Sequence, residues 1–159
     1  MVVGARRAAR VGLVFVALLA ACSSGASEAE RSALDQLYAD PLFAERPEGV
    51  GDVMAERFTE ECGPSGQEPA GSRDYHVSGD PQVVVDGYMD LGEAEGWRVK
   101  ESRSVDAEEP FEGRRAQLIL ERDAGDLRLV ASVNAGLGPG NVPMMVTVAG
   151  RVEGASFCA

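Results

Sequence analysis

Two consecutive segments of alternating residues constrain the fold more than any other feature of the chain. Every second residue of each segment is apolar: Ala116, Leu118 and Leu120 in the first, and Leu127, Leu129, Ala131 and Val133 in the second. A period of two places such side chains on one face of a strand. Only the four residues Asp123–Asp126 separate the two segments. A connection this short cannot cross between parallel strands, so the pattern predicts an antiparallel hairpin.

Four further segments are predicted to be strands. They are Asp52–Cys62, Arg73–Val77, Trp97–Lys100 and Met144–Gly150. Within the third of these, Trp97 and Val99 alternate with charged residues, so both are expected on one face. With the hairpin, these segments predict a sheet of about five to six strands, joined by short turns that favour antiparallel pairing.

The segment 81–95 carries the clearest helix signal. Asp80 is a preferred N-cap residue, and Pro81 suits the first helical turn. Apolar side chains then recur at helical spacing: Val84, Tyr88 and Leu91. Gly96 provides a C-terminal stop. The spacing therefore predicts a helix with one apolar face over about 81–95.

A second helix is predicted near the N-terminus, over about 28–38. Ser27 and Glu30 have the spacing of a capping box. Three apolar residues follow at helical spacing: Leu34, Leu37 and Tyr38. Pro41 then ends the pattern, because the residue before a proline is disfavoured in a helix.

The order of the elements, α-β-β-α-β-β-β-β, indicates the fold class. Helices at one side of an antiparallel sheet are typical of α+β proteins. We therefore predict an α+β fold in a single domain spanning 27–159. Its antiparallel sheet is expected to be covered on one face by the helix over 81–95.

The first 21 residues differ from the rest of the chain. Arg6, Arg7 and Arg10 are the charged residues of this segment, and the mostly apolar run Val11–Ala21 follows them. A membrane-spanning helix needs roughly 20 apolar residues. A run of eleven residues is too short to span, and it has the length of the apolar region of a signal peptide. Residues 1–21 are therefore expected to be removed on export.

The end of this signal reads Leu19-Ala20-Ala21-Cys22. It resembles the lipobox of bacterial lipoproteins, in which an aliphatic residue and two small residues precede a cysteine. The resemblance covers only residues 1–25. It implies a diacylglyceryl group on Cys22 and a protein held at the extracytoplasmic face of the cell membrane. Two acyl chains anchor a protein stably, whereas one chain holds it reversibly. The alternative is an ordinary signal peptide cut after Ala20 or Ala21.

The charge of the mature chain excludes nucleic acid as a partner. The chain of 159 residues has 15 basic and 26 acidic residues. Without residues 1–21, which hold three arginines, 138 residues remain with 12 basic and 26 acidic side chains, a net charge of −14. Nucleic acid is excluded as a partner, because phosphate binding requires Lys and Arg. The acidic excess favours solubility, or a basic partner.

Residues 22–26 are expected to form the lipidated N-terminus and a short spacer before the domain.

Two further cysteines, Cys62 and Cys158, are predicted to form a disulfide. An even pair in an exported chain favours this bond, because the compartment is oxidising. A metal pair is disfavoured: neither cysteine lies in a CxxC motif, and His76 is the one histidine of the chain, too few ligands for a zinc site. A nucleophilic Cys–His pair is not excluded by the number of residues. The disulfide is the interpretation we favour.

Two motifs that could suggest a phosphate-binding loop or an acidic site are predicted to have structural roles. Gly136–Asn141 is rich in glycine, but no Lys-Ser or Lys-Thr follows it as in a phosphate loop. It is therefore predicted to be a wide hairpin turn. Four acidic residues lie on or beside the 81–95 helix: Asp86, Asp90, Glu93 and Glu95. They are predicted to form its solvated face, not a site for Ca²⁺ or acid–base chemistry.

The residues around His76 are the remaining candidates for catalysis. Asp74 lies two residues before His76, but the chain has no GxSxG motif to mark a nucleophile. An exposed histidine on a strand is the simpler interpretation. Trp97 directly follows the stop of the 81–95 helix and is predicted to cap the core, with ligand stacking as the alternative.

These observations lead to two hypotheses of function. The first is a non-enzymatic binding or accessory module, without metal, cofactor or catalytic residues. It would contact an envelope protein, a peptide or a small apolar ligand through the sheet face or the loop 136–141. The second is a small envelope hydrolase that uses His76 and nearby carboxylates. We favour the first, because the sequence has no nucleophile motif, metal set or cofactor loop.

Overall fold

A computed structural model describes residues 27–60, 68–104, 114–137, 144–155 and 157 of the chain. Within these ranges the helices are α1 (Glu28–Tyr38), α2 (Pro41–Ala44) and α3 (Pro81–Ala94). The strands are β1 (Val50–Phe58), β2 (Ala70–Val77), β3 (Arg98–Ser104), β4 (Arg114–Ala124), β5 (Leu127–Leu137) and β6 (Met144–Glu153). The fold is α+β, and its sheet of six strands is antiparallel.

The strands lie in the order β1-β2-β6-β5-β4-β3, and each neighbouring pair is antiparallel. The predicted hairpin is present: Leu118 faces Val133, and Ala124 faces Leu127 at its closed end. Gly125 lies in this turn with φ +66°, a conformation that glycine adopts at little cost. In the next hairpin, β5 and β6 pair up to Leu137 and Met144. Of the turn predicted over Gly136–Asn141, the first two residues belong to β5, and 138–141 lie outside the described residues.

The predicted helix ends are confirmed. The Ser27 hydroxyl accepts a hydrogen bond from the Glu30 backbone N–H (3.2 Å), and the Glu30 carboxylate accepts one from the Ser27 N–H (2.6 Å). At α3, Asp80 Oδ1 accepts a hydrogen bond from the Gln82 N–H at 2.8 Å. Gly96 follows the helix with φ +80°. These caps satisfy backbone groups that the first and last helical turns leave unpaired.

The short helix α2 was not predicted from the sequence. Asp40 is its N-cap, and Oδ1 of Asp40 accepts a hydrogen bond from the Leu42 N–H at 3.0 Å. Pro41 occupies the first position of this helix, where its fixed φ is favourable and its missing N–H costs nothing. Asp40-Pro41 is the same signal as the Asp-Pro pair that begins α3. Pro41 therefore marks the start of a new helix as well as the end of α1.

Alternate residues of the strands point to one face of the sheet, and these residues form the core. The largest buried strand residues are Tyr75, Leu118, Leu120, Leu129, Val133, Val146, Val148 and Val152. Leu37 and Phe43 belong to the same buried cluster. A Cβ atom added at Gly150 would lie 2.6 Å from Phe43 Cζ and 2.9 Å from Leu37 Cδ1. The glycine therefore lets these two side chains contact the backbone of β6 directly.

Strand β3 keeps the predicted alternation up to Val99 and departs from it beyond this residue. Trp97 is buried, as expected for a residue that caps the core, but it precedes the strand. Val99 was expected on the same face, yet it is 38% exposed. A register shift between Val99 and Glu101 marks an irregularity in the pairing with β4. A β-bulge places two residues opposite one and breaks the period of two beyond this point. Val99 itself pairs with Leu120 of the core, so it lies on the predicted face, and it is exposed because β3 is at the edge of the sheet.

Strand β1 is an edge strand with two register shifts, between Val50 and Val53 and between Val53 and Ala55. It begins two residues before the predicted Asp52 and ends at Phe58. Irregularities of this kind are common at sheet edges, where they hinder pairing with another chain.

Candidate functional site

A row of polar side chains crosses the sheet on the face opposite the buried strand residues. Asp74, Thr147, Asn134 and Gln117 occupy facing positions on β2, β6, β5 and β4. Thr147 Oγ1 donates a hydrogen bond to Asp74 Oδ1 at 2.7 Å. Gln117 Nε2 donates one to Asn134 Oδ1 at 2.9 Å. Cross-strand pairs of this kind stabilise a sheet, so this polar row has a structural role of its own.

Beside the polar row the same face contains a depression, which we call the trough. Its centre is formed by Ser72, Ala149 and Ser132, which face one another across β2, β6 and β5. These side chains are small, and the cavity above them has a volume of about 470 Å³. The described residues that line it are Arg57, Thr59, Glu68, Ala70, Gly71, Ser72, Val130, Ser132, Ala149, Gly150 and Arg151. The volume falls within the range of about 300–1,000 Å³ that is typical of small-molecule sites.

Two facing glycines form part of the trough floor. Gly71 on β2 pairs with Gly150 on β6. A Cβ atom added at Gly71 would lie 2.5 Å from Phe58 Cδ1 and 2.8 Å from Tyr38 Cε1, both on the core side of the sheet. Aromatic side chains therefore support the backbone from below at this point. A close-packed interior resists deformation, so we expect the floor of the trough to be preformed.

Two arginines carry positive charge at the trough. Arg57 is 74% exposed, and its Nη2 lies 3.7 Å from Oδ2 of Asp74. Arg151 is 57% exposed, and its Nη2 donates a hydrogen bond to Glu153 Oε1 at 2.6 Å. This hydrogen bond is the main reason why the pKa of Glu153 lies below its ordinary value. A guanidinium has five N–H donors, so neither contact uses the full donor capacity of its arginine.

His76 does not lie in a catalytic arrangement within the described part of the chain. It is exposed near the end of β2, opposite Met145 of β6. No hydrogen bond or ion pair joins it to another described residue. Asp74 lies on the same face of β2 as His76, but its carboxylate contacts Thr147 and Arg57. The described residues therefore provide no base–nucleophile pair around His76, which a hydrolase of the triad type requires.

The acidic residues of α3 lie where the sequence placed them. Asp86, Asp90, Glu93 and the C-cap Glu95 are all on the surface of the helix. Asp86 accepts a hydrogen bond from Gln82 one turn earlier on the helix, at 2.7 Å. Within the described ranges, no group of three or more His, Cys, Asp or Glu residues is arranged to hold a metal ion.

The indole of Trp97 is part of the core. Trp97 is only 3% exposed, and its Nε1–H donates to Asp40 Oδ1 at 3.2 Å. A ligand cannot stack on a ring that is buried in this way, so the alternative interpretation of Trp97 was wrong.

Three predicted residues cannot be placed by the structure. Cys22, Cys62 and Cys158 lie outside the described residues, as does the signal segment 1–21. The lipid anchor and the disulfide therefore stay predictions.

A second, smaller depression lies at the closed end of the β4–β5 hairpin. It measures about 400 Å³ and is lined by Asp123, Gly125, Asp126, Leu127, Arg128, Glu153 and Gly154. Its charged side chains are largely engaged with one another and with neighbours: Asp123 pairs with Arg98 at 3.1 Å, and Glu153 with Arg151 at 2.6 Å. We regard this depression as a solvated turn.

The sheet face was expected from the sequence as a possible contact surface, but the trough was not. Ser72, Ala149 and Ser132 are separated by long stretches of sequence, and each is ordinary when taken alone. They become neighbours only through the register of β2 with β6 and of β5 with β6. The available signal was a small residue within two predicted strands and directly before a third, Arg73–Val77. That signal has no meaning until the strand order is known.

None of the helices in the described ranges combines the length and the apolar character needed to cross a membrane. A comparison of the sequence with models of protein families gives no match. A comparison with curated protein sequences gives no significant match either.

Proposed function

We propose that the mature chain is a lipid-anchored binding module of the cell envelope, without enzymatic activity, and that its ligand occupies the trough. The observation that carries this proposal is the cavity of about 470 Å³ lined by aliphatic, hydroxyl and guanidinium groups. Binding sites typically combine an apolar lining with a few polar groups that orient the ligand. No corresponding arrangement of nucleophile and base surrounds His76 among the described residues.

The packing of the helices supports this choice of face. We infer that α1 and α3 cover the side of the sheet opposite the trough. A Cβ atom at Gly92 of α3 would lie 2.7 Å from Leu120 Cδ1 of β4. Leu37 Cδ1 of α1 lies 2.9 Å from the position of a Cβ at Gly150 of β6. Leu120 and Gly150 both belong to the core side of their strands, so the helices leave the trough side for a ligand.

The anchor sets where the module works. With a diacylglyceryl group on Cys22, the domain begins after the spacer 23–26, whose extended length is at most about 14 Å. The mature chain has a net charge of −14. An anionic membrane surface repels such a domain over a Debye length of about 8 Å. We therefore propose that the lipid alone holds the protein to the membrane, and that the acidic domain stands off the surface.

Metabolic labelling with palmitate tests the anchor. The full chain should incorporate label and fractionate with membranes, whereas the Cys22→Ala variant should do neither. No neighbouring thiol can take the lipid in its place, because Ser23, Ser24 and Gly25 follow directly. The exported Cys22→Ala variant should also fail to sediment with anionic vesicles at low or physiological salt. Sedimentation that weakens as salt is added would reveal a basic patch and contradict the stand-off.

Two matched variants test the trough. Ala149→Phe fills its centre, whereas Val83→Phe adds the same ring bulk to an exposed position of α3 (Val83 is 53% exposed). We expect compounds from a thermal-shift screen that stabilise the parent chain to stabilise Val83→Phe equally and to lose their effect on Ala149→Phe. Compounds that stabilise both variants to the same degree would show that ligands bind elsewhere.

A further inference from the structure

We infer that the ligand of the trough is a small organic carboxylate with an apolar body. This inference rests on the proposed function and names the ligand chemistry of the same site. The depression joins two features that such a molecule requires: guanidinium groups at its sides, and an aliphatic surface with hydroxyls at its centre.

The charge at the trough runs against the charge of the protein. The mature chain carries a net −14, yet Arg57 and Arg151 both line this cavity, with Glu68 as the acidic residue among the described lining. Arg57 belongs to β1 and Arg151 to β6, and β2 lies between these strands. At the usual strand spacing the two strands are about 10 Å apart. Guanidinium groups bind carboxylates through paired N–H donors. Two of the three charged side chains in the described lining are thus guanidinium groups, and their free N–H donors favour an anion over a cation.

The existing contacts leave both arginines able to take a ligand. Arg57 contacts Asp74 at 3.7 Å, beyond hydrogen-bond length, and Asp74 already accepts from Thr147. Arg151 uses one N–H on Glu153. Both side chains are more than half exposed, so a ligand reaches them without opening the core.

The rest of the lining matches a short apolar body. Ala149 lies between the two hydroxyl residues Ser72 and Ser132, and the aliphatic side chain of Val130 lines the cavity beside Ser132 on β5. A water molecule occupies about 30 Å³ in the liquid. If each non-hydrogen atom of a ligand occupies a similar volume, the cavity of about 470 Å³ holds roughly fifteen such atoms. Bulkier anions such as polynucleotides exceed this volume, and inorganic anions would leave the aliphatic part of the lining unfilled.

Calorimetry on the exported Cys22→Ala chain tests this inference with three probes of one chain length. The probes are decanoate, decanol and decyltrimethylammonium, each below its micelle-forming concentration. We expect decanoate to bind at least about tenfold more tightly than decanol, because a charge-assisted hydrogen bond is stronger than a neutral one. The cationic probe should not bind detectably, and added salt should weaken only the binding of decanoate.

Variants at the two arginines locate the effect. Arg57→Gln and Arg151→Gln should each weaken decanoate binding by about tenfold and leave decanol unchanged. Arg128→Gln is the matched control. Arg128 lies on the same face of the sheet as Arg151, on the neighbouring strand β5, but it does not line the trough. Circular dichroism establishes that each variant is folded.

The outcomes separate this inference from the proposed function. Equal affinity for decanoate and decanol, or an equal loss in Arg128→Gln, overturns the carboxylate. If other compounds still bind and Ala149→Phe abolishes their binding, the trough stands as the binding site with a different ligand. If neither these probes nor any screened compound binds in a manner sensitive to Ala149→Phe, the proposed function itself is overturned.

Discussion

The Nη2 atom of Arg122 on β4 lies 2.5 Å from Oδ2 of Asp40, the residue that begins α2. Only 2% of the Asp40 side chain is exposed. Its other oxygen accepts hydrogen bonds from the Leu42 N–H and the Trp97 indole. The Arg122 guanidinium also lies over the Trp97 ring, 4.7 Å from its centroid. One buried carboxylate thus joins α2, the end of α3 and β4.

Loss of this carboxylate should be costly. Arg122 is 24% exposed, so water solvates its charge in part, but the buried Leu42 N–H and Trp97 indole N–H lose their acceptor, at about 1–3 kcal/mol each. We therefore expect Asp40→Ala to lower the free energy of unfolding by about 2–5 kcal/mol. Urea denaturation monitored by tryptophan fluorescence gives the value, since Trp97 is the chain's one tryptophan.

Asp80→Ala provides the matched control. Asp80 caps α3 in the same Asp-Pro context, but it is exposed, and no described cation pairs with it. Loss of an N-cap alone costs about 0.5–2 kcal/mol. Equal costs for Asp40→Ala and Asp80→Ala would mean that the buried pair adds nothing beyond capping.

These two aspartates show how far the sequence predicts the fold. Caps, apolar spacing and short turns are local signals, so α1, α3 and the β4–β5 hairpin were predictable from neighbouring residues. Asp40 carries the same local signal as Asp80, but its contact with Arg122 depends on tertiary structure. The bulge between Val99 and Glu101 was unpredictable for the same reason, because it arises in the pairing with β4.

Two buried tyrosines should respond in opposite ways to loss of the hydroxyl. The Tyr75 hydroxyl donates to the Phe43 carbonyl at 2.5 Å, whereas the Tyr88 hydroxyl has no hydrogen-bond partner among the described residues. A buried polar group without a partner costs about 1–3 kcal/mol. Tyr88→Phe should therefore leave stability unchanged or raise it, and Tyr75→Phe should lower it by about 1 kcal/mol. Thermal unfolding of the pair decides this, and a larger loss in Tyr88→Phe would refute it.

Alkaline pH should destabilise the protein through Tyr38. Burial, followed by the nearby Glu60 carboxylate, raises the pKa of Tyr38 from 10.0 to about 12. The folded state then holds its proton more tightly than the unfolded state. The resulting stability is fully present below pH 10 and is lost as the pH rises from there toward 12.

The tyrosinate absorbance of the parent chain minus that of Tyr38→Phe isolates this titration. Its midpoint should lie near pH 12, and Glu60→Gln should move it downward by removing the neighbouring negative charge. An ordinary midpoint near 10.0 in the parent chain would contradict the partial burial of Tyr38.

The sheet topology favours the predicted disulfide. Phe58 of β1 and Gly150 of β6 both face Gly71, so these parallel strands lie about 10 Å apart with their C-terminal ends together. Cys62 follows the first and Cys158 the second. At about 3.3–3.6 Å per residue, the intervening residues are long enough to bring the two cysteines within bonding distance.

The predicted bond would close a loop of nearly the whole domain. A loop of about 100 residues contributes roughly 4.7 kcal/mol in the chain-entropy model, so we expect the double variant Cys62→Ser, Cys158→Ser to be less stable by a similar amount. Mass spectrometry under non-reducing conditions detects the bond directly. Two free thiols after aerobic export would contradict it.

The trough was less predictable than the fold, because it is made of residues that only register brings together. Arg57 and Arg151 are ordinary surface arginines in the sequence, and Ser72 and Ser132 are ordinary strand residues on the polar parity. Their alignment requires the β2–β6 pairing, in which consecutive elements are not neighbours. Non-local pairing of this kind leaves no local signal in a single sequence.

The most direct measurement of the central claim is amide chemical-shift mapping of the ¹⁵N-labelled, exported Cys22→Ala chain with a library of small acidic, basic and neutral fragments. If the trough is the binding site, the fragments that bind should shift the amides of Ser72, Ser132 and Ala149 and leave those of Asp86 and Asp90 on α3 unchanged. Acidic fragments should predominate among them. Fragments that bind mainly at α3 or at scattered positions, or a library without binders at the trough, would contradict the account.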